Sequence, residues 1–159
     1  MGKLTPQQFI QNVLINEIGE IHPNHPYISF AVMAIGIEFL GKCHLTEHQD
    51  WNNIKPDKAF NKGLDLLIEE EPTYGNLDLK NELRNGFAHT LLPKSKIALS
   101  EIKNGAIHFS QDSNGTTILV VEILFRDFVR ACFRTLMTDF PVNDKMNEQF
   151  LSITDMKKK

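Results

Sequence analysis

The sequence predicts a mainly α fold: an up-and-down helical bundle with a small antiparallel three-stranded β-meander set between the fourth helix and the last long one. Three observations predict it. Apolar residues recur at helical spacing in long stretches bounded by capping residues and prolines. Between about 96 and 122 the apolar period falls to two, and Asn104-Gly105 and Asn114-Gly115 supply tight-turn signals. No internal repeat or linker divides the 159 residues. A single domain over 1–141 is therefore expected, followed by a tail over 142–159 with a short helix around Met146 and Phe150 and a disordered basic end, Lys157-Lys158-Lys159.

The first helix opens at Thr5, with Pro6 in the first helical position and Gln8 completing a capping box. Phe9, Ile10, Val13, Leu14 and Ile18 give it one apolar face to about Ile21. His22-Pro23-Asn24-His25-Pro26 breaks the chain, because each proline removes a donor and disfavours the α region before it. The second helix, from about Tyr27 to Lys42, is apolar nearly all round and belongs at the centre of the bundle. Thr46 and Gln49 read as another capping box, opening a short turn through Trp51. A third helix starts at Pro56 and Asp57 and closes on Glu69-Glu70-Glu71, where acidic residues at a C-terminus predict fraying. The fourth runs from about Leu77 to Leu91 and is stopped by Pro93. Strands are expected near 96–102, 106–111 and 116–122, and a last helix buries Ile123, Leu124, Phe128, Ala131, Cys132 and Leu136.

Composition narrows the function. Seventeen basic against twenty acidic residues give a net charge of −3, which excludes a protein that coats polyanions over its whole surface. Cys43 and Cys132 form no CxxC pair, which suits a reducing cytoplasm and excludes a disulfide framework or a thiolate zinc finger. The first residues lack the apolar core of a signal peptide. The uncharged stretch Tyr27 to Ile37 is 11 residues, against the roughly 20 needed to span a bilayer. A cytoplasmic protein without membrane association is expected.

The fourth helix carries the chemistry. Asn81, Asn85 and His89 recur at i, i+4 and i+8 and share one stripe, with Arg84 beside Asn85. Leu79, Leu83 and Phe87 form the opposite, packing face. Arg offers a planar, permanently charged fork for phosphate oxygens. His exchanges a proton near neutrality, and Asn orients the imidazole or donates to a non-bridging oxygen. No carboxylate or thiolate cluster accompanies them, so neither a metal nor another cofactor is expected. Metal-free RNA cleavage, with the 2′-hydroxyl as internal nucleophile, needs a base, an acid and a phosphate clamp. One His does not conveniently serve as both base and acid, and a two-fold dimer would bring a second copy. From Lys80 to Lys103 the chain carries five basic residues (Lys80, Arg84, Lys94, Lys96, Lys103) and two acidic ones, a local positive strip for phosphate. Asn81, Lys80, Lys94 and Lys96 are the candidate substrate-binding residues.

Arg84-Asn85-Gly86-Phe87-Ala88-His89 resembles the Arg, polar residue, then His signature of HEPN-domain proteins. Residues 27–95 add to the resemblance, through the apolar helix ending in Glu38-Phe39-Leu40-Gly41 and the helix from Lys58 to Leu67. The resemblance implies an all-α bundle, homodimerisation through the motif helices, and metal-independent endoribonuclease activity of the kind found in toxin–antitoxin and anti-phage systems. It gives Arg84 the phosphate, His89 the acid and base work, and Asn85 the second motif position. Gly86 departs from a good helix former and suggests close approach of a partner helix. RNA or a nucleotide, and a cognate antitoxin, are the partners it implies. Some members are silent dimerising modules, so a non-catalytic binder of nucleotide, RNA or protein is the alternative.

Other signals read more plainly. His44 and His48 beside Cys43 have a metal-like spacing, but Thr46 between them reads as a cap. His22 and His25 read as solvated loop residues. Trp51 and Tyr74 are read as packing rather than base-stacking, and Lys157 to Lys159 as a solubilising tail.

Overall fold

The computed structural model describes residues 5–46, 50–90 and 92–138. Among the described residues, five helices and three short 3₁₀ turns surround one core beside a two-stranded sheet. Helix α1 covers residues 6–21: an α-helical turn Pro6–Phe9, a π-helical stretch Ile10–Glu17, and a final turn Ile18–Ile21. The Thr5 hydroxyl accepts from the Gln8 amide at 3.1 Å and the Gln8 side chain accepts from the Thr5 amide at 2.9 Å, so the capping box closes. The wider middle turn was not expected. Buried Ile10, Leu14 and Ile18 are spaced four apart, longer than the 3.6-residue α turn, and a wider turn keeps them in line.

Helix α2, Pro26–Leu45, is the central helix. It is long and apolar enough to cross a membrane by length and composition, with mean hydropathy 1.5, and half of it is buried inside the fold. Phe30, Met33, Ala34, Ile37 and Leu40 are fully shielded or nearly so. Helix α3, Pro56–Glu70, crosses α2 at backbone contact. A Cβ on Gly41 would collide with the Ala59 carbonyl and the Gly63 amide, and a Cβ on Gly63 with the Ile37 carbonyl. Gly36 in turn faces the Phe128 ring of the last helix.

Between α2 and α3 the expected Thr46 cap is replaced. Thr46 ends α2, its hydroxyl donating to the Cys43 carbonyl at 2.6 Å, while Asp50 caps the 3₁₀ turn Trp51–Asn53. Gln49 lies outside the described residues. The acidic end of α3 is neutralised rather than frayed: Arg134 donates to both Glu69 and Glu70, and Arg130 stands 3.8 Å from Glu70. A 3₁₀ turn, Pro72–Asn76, then leads to helix α4 over residues 80–90, which is π-helical over Lys80–Arg84 and α-helical over Asn85–Thr90.

The expected antiparallel meander is not what forms. Strands β1, Ile97–Ser100, and β2, Thr117–Val120, pair in parallel, Ile97 opposite Thr117 and Ser100 opposite Val120. The middle segment 106–111 is not a strand. Phe109 adopts φ 65°, which breaks the extended run, and the His108 ring takes the Val120 amide that a neighbouring strand would have used, at 2.9 Å. Only Gln111 keeps an antiparallel bridge, to Thr117. Both Asn-Gly pairs do turn the chain, with Gly105 at φ 70° and Gly115 at φ 77°. Helix α5, Val121–Leu136, follows β2 directly and buries Leu124, Phe128, Ala131 and Cys132. The expected tail from 142 lies outside the described residues.

His108 anchors this excursion to the core. With Nδ1 accepting from Val120, its Nε2 carries the proton and donates to the Tyr74 hydroxyl at 3.1 Å. Tyr74 donates to the Asp127 carboxylate at 3.0 Å, and Arg126 donates to the other oxygen at 2.8 Å. Burial lowers the His108 pKa from 6.5 to about 4. Because the folded state holds this ring neutral, its contribution to stability is full above about pH 6.5 and is lost as pH falls toward 4. Denaturation midpoints taken between pH 7 and 4 should therefore fall more steeply for the parent than for His108→Ala. Gly63→Ala should lower unfolding stability by about 1–3 kcal/mol through overpacking, read as an earlier urea midpoint.

Candidate functional site

Helix α4 sits on the bundle through Leu79, Leu83 and Phe87, all buried. Their four-residue spacing matches that of Asn81, Asn85 and His89, and the wider turns at Lys80–Arg84 hold Leu79 and Leu83 in register with the core. Asp78 begins the helix, its carboxylate accepting from the Asn81 amide at 3.3 Å and from the Asn81 side chain at 2.7 Å. These bonds hold the Asp78 carboxyl below the usual carboxylate range.

From Asp78 a chain of side-chain hydrogen bonds climbs the helix. Asn85 Nδ2 donates to Asn81 Oδ1 at 3.0 Å, and Arg84 Nη1 donates to Asn85 Oδ1 at 2.8 Å. Arg84 then crosses to α2, its Nε and Nη2 donating to Glu38 Oε2 at 2.9 and 2.7 Å. Arg84 and Glu38 are each about four-fifths buried, with side-chain exposures of 21% and 23%. A guanidinium has five N–H donors, and three are engaged here. Among the described residues the remaining two, one on each terminal nitrogen, have no partner.

The structure brings Asn81, Asn85 and Arg84 into one network, and His89 follows one turn beyond Asn85 on an exposed position. The lysines are more scattered. Lys80 pairs with Asp57 across to α3 at 3.5 Å. Lys94 and Lys96 are exposed, and their backbone amides donate to the Glu82 carbonyl at 2.8 Å and the Glu82 carboxylate at 3.1 Å. Lys96 lines a cleft of about 270 Å³ with Asp78, Glu82, Gln111 and Thr117, at the start of α4 and two turns from His89.

Gly86 has a different reason from the one expected. It faces this chain's own return after α4: a Cβ there would meet the Leu92 carbonyl and Pro93. No room is left on that side for a partner helix. The histidines outside α4 are also accounted for in part. His44 Nε2 lies 3.1 Å from the Thr135 hydroxyl, and burial lowers its pKa. His48 lies outside the described residues. His22, expected to be solvated, stacks on Phe125 with centroids 4.5 Å apart. Trp51 and Tyr74 are buried.

Two groups escaped the sequence reading. Glu38 is the sole carboxylate in a largely apolar helix, and that isolation was the available signal. Asp127 interrupts the buried face of α5 beside Phe128, and nothing in the sequence tied it to Tyr74 and His108. No family model, curated protein or solved structure matches the chain.

Gly86→Ala should destabilise the fold by about 1–3 kcal/mol, because the 92–94 segment must move away from α4. Thermal unfolding checks this, and an unchanged midpoint would show that the return segment yields freely.

Proposed function

We propose that this protein is a metal-independent endoribonuclease of HEPN type, acting in the cytoplasm as a homodimer with a composite site. One observation carries the reading: a guanidinium about four-fifths buried, with two N–H groups unengaged among the described residues, stands five residues before an exposed imidazole on the same helix. In this reading Arg84 grips the non-bridging oxygens of the scissile phosphate. His89 of one subunit takes the proton from the 2′-hydroxyl, and His89 of the second subunit gives one to the departing 5′-oxygen. The 2′-oxygen–phosphorus bond forms as the 5′-oxygen–phosphorus bond breaks, leaving a 2′,3′-cyclic phosphate and a 5′-hydroxyl. Asn85 holds Arg84, Asn81 holds Asn85, and Lys80, Lys94 and Lys96 contribute attraction for the flanking backbone.

The surface of α2 supports a dimer beside this helix. Ile28 and Ile35 lie seven residues apart, on one face, and are 53% and 60% exposed. Tyr27, at the same end, packs edge-on to Phe87 of α4 at 5.3 Å. A second copy covering this strip would draw the two α4 helices together. A toxin or defence role, with a cognate antitoxin, fits such an enzyme.

The second reading, a silent dimeric module that binds nucleotide, RNA or protein, is favoured by one feature: Glu38 already neutralises Arg84. Activity separates the two. With chelator present, the parent should cut mixed-sequence RNA to cyclic phosphate ends, and His89→Ala should lose about 100-fold or more in rate. Because His89 is exposed, its fold should be unaffected. Undiminished cleavage by His89→Ala would remove His89 from the mechanism, and absence of cleavage by the parent would favour the silent module.

A further inference from the structure

We propose that Glu38 is a positioning residue that sets the plane of the Arg84 guanidinium and so presents its two remaining N–H groups to an oxyanion; this deepens, and rests on, the reading of Arg84 as a phosphate clamp. Glu38 lies on α2, far from Arg84 in sequence, and is the sole acid between Pro26 and Leu45. Its placement is costly in isolation, since a carboxylate three-quarters shielded in an apolar helix needs a partner. The partner could have been satisfied by a single contact. Instead Nε and Nη2 both converge on one oxygen, Oε2, while Asn85 takes one hydrogen of Nη1 from the other side.

Three bonds from two elements define the plane of the ring of nitrogens. One N–H is left on Nη1 and one on Nη2, and such a pair suits two oxygens of a single phosphate. An Arg held by charge alone would sample many rotamers, and ordering it would then fall to the ligand. Anchoring by α2, the central helix of the fold, removes that requirement. Glu38 itself touches no reacting atom in this arrangement. It acts through Arg84.

A plain counter-ion would differ in what its loss does. If charge alone matters, Glu38→Gln and Glu38→Ala behave alike. If orientation matters, Gln retains an acceptor for Nε and Ala does not. RNA cleavage by the parent, Glu38→Gln and Glu38→Ala should therefore fall in a graded series, with Gln losing severalfold in kcat and Ala about tenfold more, while KM changes little. In parallel, the Nε–H proton resonance of Arg84 should respond to inorganic phosphate in the parent and in Glu38→Gln, and lose that response in Glu38→Ala. Thermal melting of each variant establishes that it is folded, and the Gln variant preserves the comparison if Ala is not. Equal effects of Gln and Ala, or a phosphate response independent of residue 38, would overturn the positioning role. A graded phosphate response in a parent that cuts no RNA would instead uphold the positioning role and sink the nuclease reading.

Discussion

The α2–α3 crossing is the constraint on which the remaining structure depends. At Gly41 and Gly63 the two backbones approach so closely that neither position has room for a Cβ. That contact fixes the separation and angle of α2 and α3, and α5 is placed against them. Phe128 of α5 fits over Gly36 on the same central helix, so a second glycine admits the last helix as well. Interiors packed this densely pass a displacement on rather than absorb it. A small shift of α2 would therefore move Glu38, and with it Arg84, by a similar distance.

Helices were legible wherever local chemistry and burial agreed. Thr5, Pro6 and Gln8 mark the start of α1 and do cap it, and Pro56 does open α3, whereas Pro26, read as part of the break, is the first residue of α2. What local patterning could not reveal was how wide a turn would be. The four-residue spacing of Ile10, Leu14 and Ile18 fits an α face as well as a π face, and packing against the bundle selects the second. The strands failed for a related reason. Alternation at Ile97, Leu99, Ile107, Phe109, Ile118 and Val120 reports a pleated, half-buried surface, but pairing direction is decided by what the intervening segment does. Here Phe109 turns into the left-handed region and His108 inserts its ring, so residues 106–111 form no strand of their own and hold to β2 only through backbone bonds to Ile118 and the Gln111–Thr117 bridge.

The site shows the same division. Asn81, Arg84, Asn85 and His89 could be grouped from spacing alone, because one helix holds them all. Glu38 could not be joined to them, being 46 residues away from Arg84 and reached only through tertiary packing. Gly86 was visible as an anomaly in a helix, yet its cause, the returning Leu92 and Pro93, lies in the non-helical chain beyond. Electrostatic balance was hidden for that reason too: a strip that is positive in sequence is partly cancelled by Glu38 and Asp57 once folded.

Parallel pairing of β1 with β2 has a consequence for how the molecule assembles. Neighbouring strands in a hairpin zip together as soon as the turn forms, whereas these two must wait while the chain makes a 16-residue detour, over 101–116, and returns to the starting end. A pair of four-residue strands is too short to persist by itself. Its survival depends on α5, which continues without a break from Val120, and on the His108–Tyr74–Asp127 chain that pins the detour to α5. The sheet is therefore the last element to settle in folding and the first to open when α5 loosens.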